Sequence, residues 1–202
     1  VFLVVAPGGA CHYSSGLSAD YGKKLLSKQH QTRRRTSRRA LHLAIVIAPL
    51  FLAAPAMAEP TAVGRFKDWA VFTETVEGDL ICYAATEAET KTPTKVNHGA
   101  VWYYVTSWKS GKAKAQPSIK VGYDIKEGSS PKAKVGRSSW TLFPAGREAF
   151  AEDADDPAIV KALREGASLT VDATSARGTK VSYKFSLSGS ASAIDKAAEA
   201  CR

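Results

Sequence analysis

Strict alternation of apolar and polar residues leaves this chain few folds to choose from. Val181, Tyr183, Phe185 and Leu187 alternate with Ser182, Lys184, Ser186 and Ser188. Leu169, Val171 and Ala173 alternate with Thr170, Asp172 and Thr174, and Ile119, Val121, Tyr123 and Ile125 with Lys120, Gly122, Asp124 and Lys126. A strand sends successive side chains to opposite faces, so a period of two gives one dry face and one wet face. That is the pattern of antiparallel sheets packed on one side. Further strands are expected over residues 66–73, 80–86, 100–108 and 138–143. Gly78-Asp79, Asn97-His98-Gly99, Gly128-Ser129 and Arg177-Gly178 supply turns between them.

One helix interrupts the strands. Asp156 can cap it, Pro157 suits its first turn, Gly166 closes it, and Ala158, Ile159, Ala162 and Leu163 form its apolar stripe. A second short helix is expected over residues 191–200. Seven or eight strands with one or two short α-helices predict a mainly β fold, either an antiparallel β-sandwich or a distorted barrel. Strand spacing does not choose between the two.

The charge is unevenly divided. Of the net +9, residues 1–58 hold eight Lys and Arg against the single acid Asp20, whereas residues 59–202 hold twenty against eighteen, a net of +2. The basicity that would point to nucleic acid therefore sits in the leader, and no nucleic-acid partner is expected. Residues 33–39 read Arg-Arg-Arg-Thr-Ser-Arg-Arg, residues 41–54 are almost wholly apolar, and Ala56-Met57-Ala58 follows. A positive stretch, a short apolar run and a small-residue A-x-A end predict a signal peptide cleaved after Ala58. His42 and Pro49 interrupt the run, which is too short for a membrane anchor, the alternative reading. Ser37-Arg38-Arg39-Ala40-Leu41 also fits part of a twin-arginine signal, although so apolar a run better suits the general secretory route. Residues 1–32 begin with Val and contain no Met; a start placed too early is expected, with the true one nearer Leu25 or Leu26 and a long n-region as the alternative. The division is thus residues 1–58 as extension and signal peptide and 59–202 as one β-rich domain, with no membrane span after cleavage. Cys11 and His12 fall in the leader and are set aside.

Cys82 and Cys201 remain beyond the leader. An even count in an oxidising compartment favours one disulfide between them, with two separate thiols as the alternative. No C-x-x-C supports redox catalysis.

Signals for chemistry are sparse. His98 is the one histidine of residues 59–202, and its Asn97 and Gly99 neighbours mark it as an exposed turn residue. A Ser-His-Asp site would need it beside a serine and an acid, and no G-x-S-x-G motif is present. Glu152-Asp153-Ala154-Asp155-Asp156 could attract calcium but lacks the D-x-D-x-D-G pattern, and acids before a helix offset the positive end of its dipole. No catalytic residue, metal site or cofactor is expected. Trp102, Tyr103, Tyr104 and Trp108 precede Lys109, Lys112, Lys114 and Lys120. Aromatics on both faces of one strand indicate packing on both sides. If residues 109–116 form the tip of a hairpin, Lys109, Lys112 and Lys114 are the best candidate contacts for a partner.

Several phrases in order carry a resemblance: Phe66-Lys67-Asp68-Trp69-Ala70-Val71 with Cys82 after it, the segment 156–166, Leu169-Thr170-Val171, Tyr183-Lys184-Phe185-Ser186-Leu187-Ser188-Gly189, Ala193-Ile194 and Cys201. Across about residues 63–202 the chain resembles the invasion-associated locus B family of alphaproteobacterial envelope proteins. The resemblance implies an exported, β-rich protein, periplasmic or associated with the outer membrane. In intracellular pathogens the family is linked to invasion of host cells, erythrocytes especially. It has no established catalytic residues to carry over. The expectation is a non-enzymatic envelope or binding protein whose partner is an unidentified protein or envelope component. A periplasmic inhibitor or accessory subunit is the second reading, and a periplasmic enzyme the third.

Overall fold

Among the described residues, backbone hydrogen bonding gives twelve strands and two helices. The computed structural model describes residues 59–202, so the leader, its cleavage site, Cys11 and His12 lie outside the described residues. In chain order the elements are β1 (Thr61–Phe66), β2 (Trp69–Val76), β3 (Asp79–Glu87), β4 (Thr90–Thr92), β5 (Trp102–Trp108), β6 (Gln116–Lys120), β7 (Lys132–Val135), β8 (Ser138–Thr141), β9 (Phe143–Ala145), β10 (Glu148–Phe150), α1 (Asp156–Glu165), β11 (Ser168–Thr174), β12 (Lys180–Ser186) and α2 (Ser190–Ala200). They form a seven-stranded sheet in the order β1-β2-β3-β5-β6-β10-β9 and a five-stranded sheet in the order β4-β12-β11-β7-β8. Both sheets are antiparallel and open, which gives a β-sandwich and not a barrel.

The dry faces of the two sheets make the core. Trp69, Val71, Tyr103, Val105 and Ile119 from the larger sheet pack with Leu169, Val171, Tyr183 and Phe185 from the smaller. The rings of Tyr103 and Phe185 lie 5.6 Å apart across the layer. Truncating a buried Phe of this kind costs about 3–5 kcal/mol. Ile159 and Leu163 of α1, and Ala193, Ile194 and Ala197 of α2, join the same core. Both faces of β3 and β5 are buried, as the aromatics on β5 require: Tyr83, Tyr104 and Ile81 form a second cluster with Phe72, Trp102 and Trp108.

Four local expectations change, one being that residues 138–143 are not one strand, since β8 and β9 lie in different sheets. Residues 66–73 are not one strand, because the chain turns at Lys67-Asp68 between β1 and β2, with Lys67 at φ 53°. No glycine or proline announces that turn. The helix begins one residue earlier than a cap at Asp156 implies: Asp155 is the N-cap, without a side-chain cap bond, and Asp156 is buried inside the first turn. Ala158 of the expected stripe is exposed. The alternation over 119–126 continues as burial of Val121 and Ile125 but not as a strand. Beyond Lys120 the backbone divides its hydrogen bonds between the sheets. Val121 and Ile125 donate N–H to the carbonyls of Arg147 (2.9 Å) and Gly146 (2.8 Å), on the β9–β10 turn. Lys126 donates to Thr174 O (2.9 Å), and Asp124 O accepts from Ala176 N–H (2.8 Å), on the smaller sheet. Residues 121–126 therefore tie the two layers together at one end. No helix among the described residues is long and apolar enough to cross a membrane.

Candidate functional site

The residues behind the resemblance meet in space. Trp69 donates its indole N–H to Ser186 O (2.9 Å), Ser186 Oγ–H donates to the Asp68 carboxylate (2.7 Å), and Thr86 Oγ1–H donates to Asp68 O (2.9 Å). Gly189, at φ 92°, starts α2 so close to the β1–β2 turn that a Cβ on it would lie 2.0 Å from Phe66 O. The opening Phe66–Trp69 phrase and the closing Ser186–Gly189 phrase are thus two halves of one structural clasp.

Residues 109–115 form the tip of the β5–β6 hairpin, which meets the condition set for the three lysines as contacts. Trp108 N–H bonds Ala113 O (2.9 Å), and Gly111, at φ 82°, returns its N–H to Trp108 O (2.9 Å). The tip rests on the start of β3 through Lys109 N–H to Leu80 O (2.9 Å) and Ser110 N–H to Asp79 Oδ1 (3.2 Å). Lys109, Lys112 and Lys114 are exposed, and none joins an ion pair found among the described residues. Lys112 Nζ stands 5.0 Å from the centre of the Trp108 ring, a cation–π contact. Lys120 lies elsewhere, half-buried in an ion pair with Glu148 (3.0 Å). Cys82 and Cys201 are joined in a disulfide across a sequence separation of 119. It sits behind the hairpin tip, with Cys201 Sγ 3.4 Å from Ser107 O.

His98 overturns its expectation. It is buried, at 6% exposure, because both ring nitrogens find partners inside the fold. Nε2 is 2.8 Å from Pro93 O and Nδ1 is 2.9 Å from the Tyr183 hydroxyl. The Tyr183 hydroxyl is in turn 2.5 Å from that of Tyr123. Burial raises the pKa of both phenols, so both stay protonated at neutral pH. Neither imidazole nitrogen is left for a serine. The partners lie 85 and 60 residues apart along the chain, so no local spacing could have announced the network. Tyr123 and Tyr183 show in the sequence only as members of alternating strands.

That network borders a cleft of about 550 Å³ at the end of the sandwich away from the hairpin tip. The loop before β5, residues 121–126, Arg147 and the β11–β12 turn converge there. Two glycines let the first two segments touch: a Cβ on Gly122 would lie 2.7 Å from His98 O and 2.9 Å from the Cα of Gly99. Arg147 approaches Asp124 at 3.5 Å, with both side chains mostly exposed.

The acidic stretch gathers no metal-binding group: among the described residues no cluster of three or more His, Cys, Asp or Glu could hold an ion. Asp156 is buried, and its carboxyl is pushed up to about 7 by burial and by the Asp153 and Asp155 carboxylates.

Compared with known proteins, residues 69–198 match the family profile described as Invasion associated locus B (IalB) protein, more than half of the chain. No curated protein and no solved structure matches the chain.

Proposed function

Because the chain belongs to the invasion associated locus B family, we propose that it is an exported, non-enzymatic binding protein of the cell envelope. It meets an anionic protein or envelope component with the β5–β6 hairpin tip. The observation that carries this reading is the tip itself: three exposed lysines on a turn held by its neighbours, in no ion pair found among the described residues. A preformed loop loses little freedom when it binds, which favours recognition at that point. The signal-peptide pattern before Glu59 supports export, and the disulfide agrees with an oxidising compartment. The engagement of both His98 nitrogens supports a role without catalysis.

Two measurements test the reading. Intact-mass spectrometry of the exported protein should give the mass of Glu59–Arg202, rising by two hydrogens on reduction. An uncleaved mass with free thiols would remove export from the proposal. Replacing Lys109, Lys112 and Lys114 together by Glu should abolish capture of the partner from periplasmic extract, whereas unchanged capture would remove the tip as the contact. If the wild-type bait retains one enzyme in equal stoichiometry, the hairpin acts as the plug of an inhibitor or accessory subunit. The exposed tip fits that second reading as well.

A further inference from the structure

The hydrogen bonds beside the cleft have a fixed direction. A carbonyl oxygen only accepts, so the bond to Pro93 O places the His98 proton on Nε2. Nδ1 then accepts, and the Tyr183 hydroxyl must donate to it. With its proton committed, Tyr183 accepts at its oxygen, and Tyr123 donates there. The chain ends at Tyr123, which lines the cleft. Its proton is spent inward, which leaves the phenolic oxygen as an acceptor that a ligand's own hydroxyl or N–H group can meet.

The rim adds charge. Arg147, Arg177 and Asp124 line the cleft, a net of one positive charge. Arg147 has Asp124 nearby, and Arg177, exposed on the Ser175–Gly178 turn, is in no ion pair found among the described residues. A guanidinium fork matches a carboxylate or a phosphate. The walls are held by backbone bonds to both sheets and by the Gly99–Gly122 contact, so the cleft exists before any ligand arrives. Its volume of about 550 Å³ falls within the range of small-molecule sites.

We propose that this cleft binds a small hydroxylated anion of the sugar-acid or sugar-phosphate class, its oxyanion on Arg177 and Arg147 and a hydroxyl donating to Tyr123. The site lies at the other end of β5 and β6 from the hairpin tip, so it is independent of the contact proposed there.

Calorimetric titration of the protein with glucuronate, glucose 6-phosphate, glucose and inorganic phosphate tests it. Glucuronate or glucose 6-phosphate should bind while glucose and inorganic phosphate do not, and whichever sugar binds identifies the oxyanion. Tyr123→Phe should weaken that binding by about tenfold, the upper range for one hydrogen bond. Arg177→Gln, an exposed change, should weaken it by about tenfold or more. The Tyr183–His98 bond survives in Tyr123→Phe, so the fold is retained, which a thermal melt checks. Binding of none of the four probes overturns the proposal. Equal binding of inorganic phosphate and glucose 6-phosphate, or of glucose and glucuronate, also overturns it, as does an unchanged affinity in Tyr123→Phe. Independently of any ligand, nitrogen NMR should find the His98 proton on Nε2. A proton on Nδ1 would reverse the chain and remove the acceptor from Tyr123.

Discussion

Asp156 shows how far a single residue can depart from its type. It reads in the sequence as a cap, whose carboxylate would accept from the helix's first N–H groups. In the fold Asp155 takes the cap position, and Asp156 is buried at 8% exposure, with one carboxyl oxygen lacking a hydrogen-bond partner among the described residues. Burial first, and then the Asp153 and Asp155 carboxylates, raise its pKa from 3.8 to about 7. Between those values the folded chain holds a proton that the unfolded chain has lost, so stability falls as pH rises through the window and the loss is complete above it. Asp156→Asn should therefore stabilise the protein at pH 8 by about 1 kcal/mol or more, roughly 3 °C in Tm, with the gain vanishing near pH 4. Equal melts of the two proteins at pH 8 would contradict this. His98 makes the same point from the other side. Asn and Gly neighbours mark it as a surface turn, yet the turn folds inward because a tyrosine and a carbonyl wait for both nitrogens. Nothing within five residues of His98 in the sequence encodes the Tyr183 hydroxyl.

Elements were far more legible than individual contacts. Alternation located β11 and β12, since their apolar positions Leu169, Val171, Tyr183 and Phe185 all face the core. The turn pair Arg177-Gly178 falls between strands as expected, whereas of Gly78-Asp79 only Gly78 does, Asp79 opening β3. The β1–β2 turn was not legible, because Lys67 adopts a positive φ that its side chain does not advertise and the Gly189 approach holds it there. Residues 121–126 kept the burial of a strand without its pairing, because their hydrogen bonds go alternately to two sheets. The disulfide joins β3 to the end of α2, and helix packing and covalent linkage there reinforce each other. In the chain-entropy account, a closed loop of 119 residues contributes about 4–5 kcal/mol. The double variant Cys82→Ser with Cys201→Ser should lose about that much in denaturant titration. Its amides at 107–115 and in α2 should lose hydrogen-exchange protection before those of β11 and β12. Loss of protection at all four places together would contradict the local role of the bridge.

For the whole molecule, the sheet order matters more than the strand count. The smaller sheet takes β4 from early in the chain and sets it beside β12, with β11, β7 and β8 following. The larger sheet ends on β10 and β9, reached only after β7 and β8 have been laid into the other layer. Neither sheet can close from neighbours alone. Pairings between distant segments need long loops to close first, and that slows folding. Refolding with the disulfide intact should therefore take milliseconds to seconds in stopped-flow fluorescence of the buried Trp69, and a microsecond phase carrying the full amplitude would contradict it. The division of charge is the other property of this scale. With a net of only +2 over residues 59–202, long-range attraction is weak, and screening within about 8 Å at physiological salt confines it to close contact. Anionic partners would then be sorted by the local geometry of the tip and of the cleft.

If the chain is exported as proposed, the bridge from β3 to Cys201 also sets an order of events. Every strand among the described residues precedes Cys201 in the chain. A protein threaded through a membrane from its N-terminus presents Cys82 early, alone and able to react with any passing thiol or disulfide, while its proper partner is still on the far side. Both sheets can assemble in that interval, but the lock cannot close until α2 has emerged. Under the proposed export, the receiving compartment would have to guard Cys82 until Cys201 arrives.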